Sequence, residues 1–414
     1  MIFRNGRLIF PDGIRKDLEL VVREGKITEV REARAATDDE IVDLKNNFIA
    51  PGFIDLHLHG AVGRDTMEAT AEAFRAICEY HASGGTTSLL LTTVTAPIPE
   101  IVRVLQTVRE QCSRPAQLAA PKLSEGGSGR FTEARRQSAV ATTDSLAQVI
   151  GVHVEGPFIS KAKHGAQKEE FIVEPDNEPV DRILNFSDVI KVMTLAPEIR
   201  GALELIDRLR EKRIHPSGGH SDASDEEARN AFEHGMRQVT HTFNCMSSAH
   251  HRGIYRAAGL LEFALSEPEI LCELIADGHH VLPTLMQMLY RAKGPNGICL
   301  VTDATAGAGL PNESRFSLGG RECVVRDGVC LLADGSALAG SASRMIDLVR
   351  TMVQKVSVPL HHAVKMATEN PARAIRLEKS KGSLVAGADA DLVVLSPELA
   401  VVQTFSRGAR IFCL

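Results

Sequence analysis

A chain of 414 residues exceeds the usual span of one compact domain, so one large domain with a smaller companion is expected. Its 44% hydrophobic and 24% charged residues, with 33 Gly and 18 Pro, match a folded globular protein and exclude a disordered or fibrous one. The 47 basic and 53 acidic residues leave a net charge of -6, which argues against a nucleic-acid partner while allowing one local basic pocket.

Residues 1–13, MIFRNGRLIFPDG, carry charges and turn residues where a secretory signal needs an apolar core. No later run reaches the ~18 uninterrupted apolar residues of a membrane span, so a cytoplasmic protein with no membrane partner is expected. Up to about residue 47 the chain reads as short strands, IFRNGRLIF, LELVVREGKITEV and EIVDLKN, broken by PDG and REGK turns. An α/β middle follows: FIAPGFIDLHLHG, EATAEAFRAICEYHASG, TTSLLLTTV and PEIVRVLQTVREQC alternate strand and helix patterns. Further strand candidates are VIGVHVEG, DVIKVMTLAP, RIHPSGG, RQVTHTFN, EILCELIADG and GICLVTDAT, enough for eight. The segment 121–144 is polar, rich in Gly and Ser and longer than an ordinary connection, which marks an insertion or mobile loop with no assigned role. From about Gly382 strand patterns return.

Because domain termini tend to lie near each other, both ends are expected to build one small β-sandwich, residues 1–48 plus 378–414. Residues 49–377 would form a (β/α)8 TIM-like barrel, although a doubly wound open sheet fits the alternation almost as well. The eight cysteines are scattered and never form C-x-x-C, so most are expected to be buried and free.

In FIDLHLHG, strand alternation puts Asp55, His57 and His59 on one face, next to Gly60, at what would be the catalytic end of a barrel strand. VIGVHVEGP aligns His153 with Glu155, of which Glu155 ends the strand and His153 sits one pleat deeper as an interior residue. His220 follows the Gly pair of PSGGHSDAS, His241 a β-branched run in VTHTFNCM, and Asp303 the apolar strand of LVTDATAG. Each alone is unremarkable, and an Asp there could cap a helix. Together they terminate separate candidate strands. Imidazole and carboxylate suit a divalent transition ion, and the lack of Cys favours a catalytic site over a closed structural one.

The order H-x-H, E-G-P, two single His and T-D-A resembles the amidohydrolase superfamily. Over nearly the whole chain, PGFIDLHLHG, VHVEGPFIS, GHSDAS, THTFNCM, LIADGHHV, LVTDAT and LAGS resemble the N-acetylglucosamine-6-phosphate deacetylase family. Many amidohydrolases carry a carboxylated lysine on the third-ligand strand, whereas Glu155 in EGPF belongs to the deacetylase branch. The resemblance implies Glu155, His220 and His241 as principal metal ligands and Asp303 as catalytic acid/base. His57 and His59 resemble a second metal site found in some members, so one or two ions, zinc or iron, are implied. It further implies sugar contacts from Ala166 and Gln167 (HGAQ), Asn244 and Cys245 (FNCM, with Cys for the family's Ala), and Leu338, Ala339 and Gly340, with His280 near a phosphate.

One string departs: HHRGIYRAAG stands where the family has HHREPG, so the phosphate-binding arginine would be Arg252 or Arg256. The implied partner is a small amino-sugar phosphate, with a homodimer as the implied assembly. The rival readings are another deacylase of the superfamily, acting on N-acetylgalactosamine 6-phosphate, an unphosphorylated amino sugar or an N-acyl amino acid, and a non-catalytic barrel protein.

Overall fold

A computed structural model describes residues 1–34, 39–112 and 146–414, and the segment 121–144 lies outside them. Eight strands form one wholly parallel sheet in sequential order: β1 (Phe53–Leu58), β2 (Thr86–Thr92), β3 (Gln148–Glu155), β4 (Ile190–Leu195), β5 (His215–Gly218), β6 (Gln238–Val239), β7 (Leu271–Leu274) and β8 (Ile298–Leu300). The ends of that order meet. Beyond β8, Asp303 N donates to His57 O at 2.8 Å, His59 N donates to Ala304 O at 2.7 Å, and Ala304 bridges Leu58 in parallel. The sheet is therefore a nearly closed barrel, which excludes the open doubly wound alternative.

A helix follows each strand: α1 (Ala71–Ala82), α2 (Ile98–Cys112), α3 (Asn177–Leu184), α4 (Ala202–Glu211), α5 (Asp225–His234), α6 (Leu260–Ser266), α7 (Pro283–Lys293) and α8 (Met345–Gln354). Local signals set their ends. Thr70 caps α1 by accepting from Ala73 N at 3.2 Å, and Phe74, Ile77, Cys78 and His81 recur at helical spacing on its buried face. Ser224 and Glu227 form a capping box at the start of α5, and Gly235 ends that helix with φ +117°. Leu89, Leu91, Val152, Val154 and Met193 of the strands pack with Ile77, Ile101 and Leu105 of the helices in one core. Each such side chain contributes roughly 1.5–3 kcal/mol by leaving water.

Both termini build the companion sheets. Ala409–Cys413, Val401–Ser406, Leu392–Leu395, Phe48–Pro51, Arg7–Phe10 and Gly13–Arg15 lie side by side, the third pairing antiparallel to the fourth. A four-stranded sheet from Ile2–Arg4, Leu18–Arg23, Lys26–Glu32 and Ile41–Asp43 shares a core with it that includes Phe3, Leu20, Ile49, Leu392 and Phe405. Phe3 meets Phe405 edge to face at 5.1 Å, tying the first strand to the penultimate one.

A third sheet, Arg315–Leu318, Arg321–Arg326 and Val329–Leu332, follows β8 and was not expected. Its turns, Gly319-Gly320 and Asp327-Gly328, are hairpin signals. Cys272, Cys299, Cys323 and Cys330 are buried and free, as expected, Cys78 is buried and outside any disulfide, Cys245 is half-buried and Cys413 exposed. Among the described residues no helix is long and apolar enough to cross a membrane.

Candidate metal centre and substrate cavity

The strand ends bring the six candidate residues together. His57 lies in the last turn of the pleat of β1 and His59 just beyond it; Glu155 ends β3; His220, His241 and Asp303 follow β5, β6 and β8. The last three adopt left-handed backbone, φ +39°, +29° and +48°. For residues with a side chain this costs roughly 1–3 kcal/mol each, a strain that clusters at functional sites.

Hydrogen bonds fix the imidazole tautomers, because a carbonyl or carboxylate can only accept. Nδ1–H of His220 donates to Lys163 O at 3.0 Å, that of His241 to Asn244 O at 3.2 Å and that of His59 to Thr92 O at 3.3 Å. His57 Nδ1–H donates to Glu273 Oε2 at 3.1 Å. All four Nε2 atoms then face inward. Those of His220 and His241 lie 3.1 Å apart and each 3.2 Å from Glu155 Oε1. His59 Nε2 lies 3.4 Å from Glu155 Oε2 and 3.2 Å from Asp303 Oδ1. His57 Nε2 is buried without a hydrogen-bond partner, 3.6 Å from Asp303 Oδ1.

Such a cluster can be neutralised by protons or by cations. Burial opposes charge on His57, yet Glu155 and Glu273 raise its pKa well above the usual value; burial likewise opposes His220, which Cys245 and Glu155 raise. Burial would raise Glu155 and Asp303, but His57, His220 and His241 hold Glu155 well below the carboxylate range, and His59 with His57 holds Asp303 at about 2. One proton would satisfy the His220–His241 pair, yet His57 Nε2 is still left buried without a partner. The donors fit divalent cations: Glu155, His220 and His241 form one group and His57, His59 and Asp303 another, the ligand atoms within each lying inside 4.8 Å. Glu155 turns Oε1 to the first group and Oε2 towards His59 of the second.

His153 also falls in a group, with His57 and Glu273. Its nitrogens are committed: Nδ1–H donates to Leu56 O at 3.0 Å and Nε2 accepts from Thr194 Oγ1 at 2.7 Å. Burial, then the charge of His57, pushes its pKa down to about 4, so it is the neutral interior histidine that its depth in the strand implied.

A cavity of about 230 Å³ opens over His59, Glu155, His220, His241 and Asp303. Ala166, Gln167, Asn244, Cys245 and His280 line it, as do Leu338 and Gly340. Gln167 is tied to the centre itself, its Nε2 donating to Glu155 Oε2 at 2.7 Å while its Oε1 accepts from Thr95 N at 2.8 Å. Ala339 is fully buried behind the lining, its carbonyl accepting from Thr305 Oγ1 at 3.0 Å. Arg252 and Arg256 stand apart, exposed on the hairpin of His250–Arg252 and Tyr255–Ala257, and Arg252 faces Glu226 at 3.7 Å. A larger cavity, about 500 Å³, is lined by Asp65, Glu100, Lys168 and Arg315 and holds no member of the histidine cluster.

Four contributors are not singled out by the sequence reading. Glu273 of β7, fully buried, is marked only by its charge inside the apolar run ILCELIA. Asp277 accepts from His280 Nδ1–H at 2.7 Å. Burial opposes the charge on His280, but Asp277 raises its pKa above the ordinary value. Leu318 and Ala337 reach the cavity from the unexpected third sheet and the loop after it.

Imidazoles and carboxylates gathered at the C-terminal rim of a parallel barrel define a metal-dependent barrel hydrolase. The chain belongs to the Amidohydrolase family, whose profile matches residues 48–411. It is 34% identical over 409 residues to an N-acetylglucosamine-6-phosphate deacetylase of Lysinibacillus sphaericus, covering 99% of this chain and 97% of that one. It is 31% identical to an N-acetylgalactosamine-6-phosphate deacetylase of Escherichia coli O157:H7, covering 98% of each chain. Among solved structures it is similar to N-acetylglucosamine-6-phosphate deacetylase from Pasteurella multocida, with a TM-score of 0.85, 29% identity and coverage of 99% of this chain and 98% of that one.

Proposed function

We propose that this protein hydrolyses the N-acetyl amide of an amino-sugar phosphate, N-acetylglucosamine 6-phosphate before others, giving acetate and the free amine. The observation that carries this is the convergence of Glu155, His220, His241 and Asp303 on one cavity with Gln167, Asn244 and His280, in a chain whose full-length relatives are deacetylases. Glu155, His220 and His241 would hold the tighter ion and His57, His59 and Asp303 a second, zinc or iron in kind. A divalent cation so held supplies Lewis acidity, lowering the pKa of water from ~15.7 to about 7.

The residues do the rest. Asp303, ionised across the working range, takes a proton from the attacking water as its oxygen bonds to the acetyl carbon. It returns that proton to the sugar nitrogen as the C–N bond breaks. Gln167 keeps Glu155 oriented, and Ala166, Asn244, Cys245, Leu338 and Gly340 shape the sugar site, with Ala339 supporting the last two. A raised His280 offers a cationic donor to the phosphate, and Arg252 and Arg256 stay candidates for the same role.

The N-acetylgalactosamine 6-phosphate reading is favoured by one observation, the 31% identity to a deacetylase of that specificity. Acetate release from both 6-phosphates, measured after loading with zinc or iron, decides between them, and no turnover of either overturns the proposal. We also propose the division into residues 1–48 plus 378–414 and 49–377, supported by the core shared between both ends, and a cytoplasmic location.

A further inference from the structure

Glu273 is a charged residue with nothing ionic to do in the reaction, fully buried in β7. Its two oxygens are nevertheless fully used. Oε1 accepts from Gln238 Nε2 at 2.6 Å, while Oε2 accepts from His57 Nδ1–H at 3.1 Å and from the backbone N–H of His241 at 3.2 Å. One carboxylate on β7 therefore reaches β1 and both β6 and the turn just after it, and two of its partners belong to the histidine cluster. All three of its partners, an amide NH2, a ring N–H and a backbone N–H, donate to it, the pattern that an acceptor-only carboxylate requires.

We infer that Glu273 is a positioning residue that makes His57 a metal ligand and thereby sets the affinity of the second cation group, His57, His59 and Asp303. The inference rests on the two-ion reading above and deepens it. An anionic acceptor on Nδ1 places the proton there and leaves Nε2 as a lone pair aimed between Glu155 Oε1 at 3.5 Å and Asp303 Oδ1 at 3.6 Å. A carboxylate behind a histidine also raises the basicity of its free nitrogen. The anion adds a third negative charge near the centre, beside Glu155 and Asp303, which a second divalent cation would offset. Glu273 is not itself a ligand in this arrangement, because the third member of its own group, His153, has both nitrogens engaged by Leu56 and Thr194.

The barrel holds a built-in control. Gln238 Oε1 is buried with no partner. In Glu273→Gln, a flip of the Gln238 amide would let it accept from the new NH2, while the new carbonyl keeps accepting from His57 and His241. Shape and hydrogen bonds persist and the charge goes. The hydrogen bond to the His241 backbone survives too, so the first cation group should be spared.

The test is equilibrium dialysis of the full chain against buffered zinc, reading zinc bound per chain for the parent, Glu273→Gln, His57→Asn and the double variant. The expected result is two binding steps in the parent, with the weaker one loosened about ten- to a hundred-fold in Glu273→Gln. The tighter step should stay within about twofold, since its ligands keep their contacts. His57→Asn should loosen the same step, and the double variant should be no worse than His57→Asn alone, because a positioning effect passes through His57. A merely structural role would loosen both steps together or add to the His57 loss, and either result overturns the inference, as does an unchanged Glu273→Gln. Should Glu273→Gln fail to fold, Gln238→Leu, which removes only the donor to Oε1, must loosen the weaker step alone, and failure to do so overturns the inference. A parent with a single step overturns the two-ion reading and this inference with it, whereas two steps indifferent to Glu273 overturn the inference alone.

Discussion

His220 Nε2 and His241 Nε2 stand 3.1 Å apart, nearer than two bare lone pairs tolerate unless a cation or a proton lies between them. Glu155 Oε1 completes that triangle at 3.2 Å from each. His220→Ala removes one corner, and stoichiometric binding at the tighter site is expected to be lost while the barrel, held by the apolar core around Leu91, Val154 and Met193, stays folded. Metal analysis with circular dichroism on the same sample checks this. Full metal content in that variant would show that the ligands lie elsewhere.

Asp303→Asn keeps the shape of the side chain but cannot take up a proton. Its backbone N–H bond to His57 O, which helps close the barrel, is unaffected. Turnover should fall about 10²- to 10⁴-fold with little change in thermal midpoint, the range of a lost general acid/base. A loss under about tenfold would move the proton transfer to another group.

How the sequence announces these parts differs from part to part. The barrel is legible because β–α alternation and apolar runs such as TTSLLLT are local properties, and β2 is buried at every position. The ligands are legible because Glu155 and Asp303 break apolar runs near strand ends. The left-handed φ values of His220 and His241 leave no trace in sequence, since the strain is imposed by tertiary structure. Glu273 is invisible as a partner because its contacts, His57 and Gln238, lie 216 and 35 residues away. The hairpin carrying Arg252 and Arg256 shows the converse: a basic string reads as a phosphate pocket, yet only the fold decides whether it faces the cavity.

The loop of Gly165 is tight against the centre. Gly165 has φ +57°, and a Cβ there would stand 2.5 Å from Cys245 Sγ and 3.5 Å from His220 Cε1. Gly165→Ala adds that clash to a left-handed strain of about 1–2 kcal/mol. It should also displace Lys163 O, the acceptor that orients His220. Activity is expected to drop about tenfold or more, in line with a displaced ligand support. Adding Cys245→Ala removes the sulfur and should restore part of the loss. A double variant no better than Gly165→Ala would assign the loss to backbone strain alone.

His280 and Asp277 give a pH dependence of defined sign. Burial opposes both charges, but each partner stabilises the other: His280 is raised from 6.5 and Asp277 lowered from 3.8. The raised histidine contributes stability that is full below 6.5 and lost as pH rises through its folded value. The lowered Asp277 contributes above 3.8 and loses that contribution as pH falls through its own. In the proposed role, KM for a phosphorylated sugar should therefore climb as rising pH discharges His280, with KM for the unphosphorylated sugar flat. Asp277→Asn should bring the climb to lower pH. Parallel profiles for the two sugars would remove His280 from phosphate recognition.

Phosphate preference is the sharpest test of the substrate assignment, because the cations offered for it differ in placement. His280 lines the cavity with its side chain almost wholly buried, whereas Arg252 and Arg256 sit on an exposed hairpin and Arg252 already faces Glu226. A charge-assisted contact contributes roughly 1.5–3 kcal/mol, and the buried donor should contribute more than a solvated one. Relative to unphosphorylated N-acetylglucosamine, kcat/KM for the 6-phosphate should thus fall about ten- to a hundred-fold in His280→Asn, by that same energy. Arg252→Ala and Arg256→Ala are the comparison. Loss confined to one of them would assign that guanidinium to the phosphate in spite of its place on the hairpin, and losses in neither would leave the string HHRGIYRAAG without a role in binding. If the parent turns over both sugars equally well, the phosphate itself is not recognised, and the substrate belongs among unphosphorylated N-acyl compounds.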